Sequence, residues 1–135
     1  MSQSEFDIIR RYFADSGLGF ARQGVVAGIG DDAALLSLPS DSQLALSMDV
    51  LVEGVHFPAG AEAEAVGYRA LAVNLSDLAA MAATPLCFTL GLSLPHFDAG
   101  WLDGFSRGLL SLAQRFACPL VGGDLVRGPL GITIP

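Results

Sequence analysis

The chain has 135 residues, 52% of them hydrophobic and 16% charged, which suits one domain with a real core and excludes disorder as a description of the whole. Fourteen acids against seven bases give a net charge of −7, and all seven bases are arginine; a lysine-dependent phosphate loop is therefore impossible, and with no basic stripe nucleic acid is not an expected partner. No apolar run reaches the roughly 20 residues of a membrane-spanning helix, the polar start is unlike a signal peptide, and two cysteines suit a reduced cytoplasm better than a disulfide scaffold.

Ser2 and Glu5 have capping-box spacing, and Phe6, Ile9 and Phe13 recur on one face, predicting an opening helix that Gly17 and Gly19 end. The stretch Gly28-Ile29-Gly30-Asp31-Asp32 leads into an apolar run at 33–38, read as a strand, and Pro39-Ser40-Asp41 supplies a turn. Residues 43–50 alternate, Leu44, Leu46 and Met48 against Ala45, Ser47 and Asp49, which predicts a second strand. Residues 62–82 read as a helix stopped by Pro85. Phe88, Leu90, Leu92 and Leu94 alternate with small polar residues, predicting a third strand. Asp98 is the expected N-cap of a helix whose apolar stripe is Trp101, Phe105, Leu109, Leu112 and Phe116. Pro119 to Val121 reads as a short strand ending in Gly122-Gly123-Asp124, and Leu130 to Ile134 is strand-like. This order predicts a single α/β (α+β) domain over 1–135, a mixed sheet covered by helices. The last run stops inside an apparent strand, so the chain is expected to be part of a longer protein.

Most of the aspartates read as surface: Asp7, Asp15, Asp41, Asp98 and Asp103 fall at caps, turns or exposed helix faces. Four resist that reading. Asp77 lies mid-helix among alanine, leucine and methionine, where an unpaired buried carboxylate would be costly, so a partner or a metal is expected; Asn74 shares its face. Asp49 ends a strand with Ser47 on its own side, Asp32 follows a glycine turn before a strand, and Asp124 follows two glycines after one. Strand ends beside glycine loops are where α/β folds place ligands, and carboxylate and hydroxyl oxygens suit Mg²⁺, which also binds phosphate. An acidic chain that handles phosphorylated ligands needs such cations. His56 by itself reads as a structural loop residue and His96 as surface; Cys87 and Cys118 read as core, and Arg127 as a partner for an anion or an aspartate.

Four segments together carry a resemblance: Gly28 to Ala34, Asp49 to Phe57, Ala70 to Met81, and Gly122-Gly123-Asp124. In this order they resemble the bacterial thiamine-monophosphate kinase family, within the superfamily of aminoimidazole ribonucleotide synthetase; the Glu53-Gly54-Val55-His56-Phe57 segment separates it from the siblings. The resemblance implies ATP-dependent phosphorylation of thiamine monophosphate to thiamine diphosphate, by direct transfer with several Mg²⁺ ions and no assigned acid or base residue. It implies that Asp32, Ser47, Asp49, Asp77 and Asp124 are metal ligands. Met48, where the family often has a hydroxyl residue, would serve through its main-chain carbonyl. Gly123 and Asp124 would meet the nucleotide, and His56 the substrate phosphate. It also implies a cytoplasmic homodimer whose sheets close a barrel-like core, with this chain as the N-terminal ATP/Mg-binding and dimerisation domain and a C-terminal domain absent from it. The rival readings are a sibling enzyme with another acceptor and, for the isolated chain, a non-catalytic dimerisation module.

Overall fold

The computed structural model describes residues 4–135, and its first helix is capped two residues later than Ser2 and Glu5 suggest. Ser4 is the N-cap: its hydroxyl accepts from the Asp7 amide, and the Asp7 carboxylate accepts from the Ser4 amide at 3.3 Å. The capping box is thus Ser4 with Asp7, while Ser2 lies outside the described residues. Helix α1 (Glu5–Ile9) widens into a π-helical turn, Arg10–Ala14, that buries Tyr12 and Phe13.

Two short strands, β1 (Val25–Ala27) and β2 (Leu35–Leu36), pair antiparallel apart from the main sheet. The apolar run at 33–38 therefore yields only two residues of strand. The main sheet contains β3 (Asp49–Val52), β4 (Phe88–Leu94), β5 (Leu120–Arg127) and β6 (Gly131–Ile134) in the order β3-β6-β4-β5. Strands β4 and β5 are parallel, and β6 runs antiparallel to both β3 and β4. The crossover from β4 to β5 contains α3 (Ala99–Arg115), which packs against α2 (Ala63–Ala80). The sheet is mixed and helix-covered, as the order of elements predicts.

The helices cross closely because two glycines let them. A Cβ on Gly67 would collide with the carbonyl oxygen of Phe105, and one on Gly108 with that of Glu64. Asp98 caps α3, accepting from the Trp101 amide at 3.0 Å. Its stripe buries Phe105, Leu109 and Leu112, whereas Phe116 stays exposed at the helix end. Both long helices stop in the same way. The Ala83 amide donates to Leu78 and the Ala82 amide to Ala79; Cys118 and Ala117 repeat this with Ala113 and Gln114. These are Schellman caps with alanine, not glycine, at the left-handed position: φ is 54° at Ala82 and 51° at Ala117.

Two further expectations are corrected. The strand foreseen over 43–50 begins only at Asp49, because β6 pairs with β3 from Asp49 opposite Ile134 to Val52 opposite Gly131. Residues 43–48 have no ladder partner among the described residues, and Leu46 is 83% exposed. Likewise, Gly122-Gly123-Asp124 lies inside β5 and not after it, since β4 pairs with β5 through Leu90↔Gly123 and Gly91↔Asp124.

Candidate functional site

The first group of candidate residues gathers where β3 begins. Asp49 opens the strand, half-buried, and Ser47 just before it donates from Oγ to Asp77 Oδ2 at 3.4 Å. Asp77 is exposed on α2, not buried as its apolar neighbours suggest; the buried polar residue of that helix is Asn74, one turn earlier. Helical periodicity explains the difference, since three residues rotate the chain to the edge of the same face. Asn74 Nδ2 donates to Ala70 O at 3.0 Å, and its Oδ1 is buried with no partner.

Partial burial, and next the Asp77 carboxylate beside it, push the Asp49 carboxyl above its ordinary pKa, with His56 acting in the opposite direction. The ion pairs among the described residues are Arg10–Asp7 and Arg107–Glu64, so no arginine offsets Asp49 or Asp77. Two carboxylates and a hydroxyl without a protein cation fit a hard divalent ion, and Mg²⁺ commonly takes one or two carboxylates plus water and phosphate oxygens. Among the described residues, no three Asp, Glu, His or Cys side chains converge to hold a metal by themselves. Met48 sits between the two donors with its side chain 63% exposed.

Asp32 and Asp124 belong to a second place. They line a cavity of about 280 Å³ whose walls include Gly30 and Asp31, β5 from Gly122 to Leu125, Phe6 and Ile9 of α1, and Phe13 of the π-helical turn. Gly123 has a φ of 153°, and a Cβ there would strike the Leu90 carbonyl oxygen, so only glycine lets the strand pass. Asp124 Oδ1 accepts from the Leu125 amide at 3.0 Å. Asp31 is an addition that the sequence reading passed over; its position next to Asp32 in the glycine turn was the available signal. Strands β3 and β5 are opposite edges of the sheet, three inter-strand spacings or about 14 Å apart. The candidate aspartates therefore form two groups and not one cluster.

His56 joins the first group. It lies in the exposed loop after β3, and its Nδ1 accepts from the Val52 amide at 3.0 Å. Cys118 is core, with its thiol pushed up to about 12 by burial, and Cys87 is half-buried. Arg127 makes no ion pair among the described residues.

Several known proteins resemble this chain. The thiamine-monophosphate kinase of Salmonella typhimurium is 47% identical over 134 residues, which is 99% of this chain and 41% of that protein. The crystal structure of thiamine-monophosphate kinase from Stenotrophomonas maltophilia K279a superposes with a TM-score of 0.83 at 44% identity, covering 99% of this chain and 42% of its own. A third structure, AaThiL complexed with AMPPCP and TMP, aligns at 33% identity with a TM-score of 0.63, over 65% of this chain and 29% of its own. The chain thus spans about two fifths of the length of the first two relatives. Residues 30–134, which hold both groups of aspartates, match the model of the AIR synthase related protein, N-terminal domain, and the chain belongs to that family.

Proposed function

We propose that this chain supplies the metal-binding and nucleotide-binding part of a thiamine-monophosphate kinase, which transfers the γ-phosphoryl group of ATP directly to the phosphate of thiamine monophosphate. The observation that carries the reading is the meeting of Ser47, Asp49 and Asp77 with no arginine against them. The 47% identity to the Salmonella enzyme and the AMPPCP and TMP complex of AaThiL support it.

Ser47, Asp49 and Asp77 would hold Mg²⁺ at one edge of the sheet, with the Met48 carbonyl beside them, and Asp32 and Asp124 would hold it at the other. When bound, Mg²⁺ neutralises phosphate charge, the main demand of phosphoryl transfer. Further residues of the chain contribute to binding. Gly123 leaves its backbone open to the nucleotide phosphates, and Asp124 holds its carboxylate beside them. His56 donates a hydrogen bond to the phosphate of the acceptor. A phosphate oxygen is already anionic at neutral pH, so no side chain is needed as a general base. Cytoplasmic location and a homodimer complete the proposal, and the exposed apolar residues Leu46, Met48 and Val50 support the dimer.

The experiment is a calorimetric titration of the chain with ATP, with and without millimolar Mg²⁺. Binding only when Mg²⁺ is present is the expected result. ATP binding of equal strength without the cation would defeat the metal-dependent reading.

A further inference from the structure

The outward edge of β3 ends at Val52. Glu53 N donates across the sheet to Leu130 O, so the preceding Val52 amide faces away from β6, where no strand lies among the described residues. That amide is nevertheless satisfied. It donates to His56 Nδ1 at 3.0 Å, while Val52 O accepts from the His56 amide at 2.9 Å and the Val55 amide at 3.1 Å. Gly54, with a φ of 83°, donates to Phe57 O at 2.7 Å, and Phe57 is buried. One residue therefore engages both outward groups of Val52, in the reciprocal manner of a capping box.

We propose that His56 is a positioning residue that clasps the 52–57 loop through Nδ1 and thereby presents Nε2–H as its one free proton. A backbone amide can only donate, so the contact has a single sense, and a nitrogen that accepts carries no proton. The ring proton must then sit on Nε2, on the far side of the imidazole from Val52. The surface around it is acidic, with Asp49 near the ring. A fixed N–H donor there selects a ligand group that accepts, such as a phosphoryl oxygen, and offers nothing to an ammonium. This ligand step deepens the kinase reading and rests on it; the clasp does not. His56 also closes the open edge of β3, so a strand added there must stop before Val52.

The clasp is measurable without any ligand, so its failure is distinct from failure of the kinase reading. Nitrogen-15 spectra of the His56 ring, assigned apart from His96, should show a bare Nδ1 and a protonated Nε2. Amide exchange at Val52 should be slow in the wild type and in His56→Asn, whose Oδ1 falls near the place of Nδ1. It should speed up at least about tenfold in His56→Ala and in His56→Gln, whose amide reaches toward the place of Nε2. A proton on Nδ1, or Val52 protection that survives in both the Ala and Gln variants, overturns the proposal. So does loss of protection in His56→Asn as large as in His56→Ala. The imidazole spectrum reads the wild-type chain alone, so a poorly folding variant leaves the test intact.

Discussion

Asp49 shows how a candidate site strains the fold that carries it. Its carboxyl titrates above the ordinary range because it is partly buried and faces Asp77. A raised acid pKa means that the folded chain holds the proton more tightly than the unfolded chain. Stability then falls as pH rises through the usual carboxylate range toward the folded value, and the penalty persists above it. Asp49→Asn removes the penalty. Without divalent cations it should stabilise the chain slightly at pH 7, by no more than the small effect of a solvent-screened surface charge pair. The gain should disappear once acid has protonated Asp49. Millimolar Mg²⁺ should raise the melting temperature of the wild type by more than that of the variant, which keeps Asp32 and Asp124, and thermal melts at two pH values with and without Mg²⁺ check all three. The sequence made Asp77 conspicuous because its neighbours are apolar. It could not tell that the helix would turn the carboxylate outward and leave Asn74 inside, since burial depends on which face meets the sheet.

Among the elements, legibility followed the source of the pattern. Strand β4 and helices α2 and α3 appear where periodicity predicts them, because each buries its own apolar side chains against the core. Residues 43–48 alternate just as clearly and still form no strand, because alternation supplies a face but not a partner. The cap at Ser4 was missed by two residues, since Ser2 with Glu5 and Ser4 with Asp7 share the same three-residue spacing. Neither Schellman cap announces itself, because alanine occupies the position where glycine is the usual sign. That choice has a cost: a left-handed alanine is less favourable than a glycine there, and both residues are exposed, so their methyl groups pack little. Ala82→Gly and Ala117→Gly should each stabilise the chain by about 0.5–1 kcal/mol, seen as a higher denaturation midpoint with an unchanged slope.

Across the whole molecule the sheet has two unlike faces. Leu51, Ile132, Leu92 and Leu125 are cross-strand neighbours, and all are buried. The opposite face carries the row Val50, Thr133, Gly91 and Asp124, and next to it Val52, Gly131, Ser93 and Val126. Val50, Val52 and Val126 are exposed on it, and the unpaired arm adds Leu44, Leu46 and Met48. Small residues in the centre with valines at the margins make a shallow surface that a second sheet could enter. Under the homodimer proposal, Leu46→Asp should convert a dimer to a monomer in sedimentation while the secondary structure is retained. A wild-type chain that sediments as a monomer at micromolar concentration removes this support.

The two glycines inside β5 have one more consequence. Their backbone is held by the ladder to β4 and does not hang in a loop. A ligand that meets Gly123 therefore finds its peptide groups already ordered, and little chain entropy is lost on association. Adaptability is given up in exchange. Under the proposed nucleotide role of Gly123, a polyanion of different shape could not be met by local rearrangement of this segment, and discrimination among phosphorylated compounds would be built into the strand pairing before any ligand arrives.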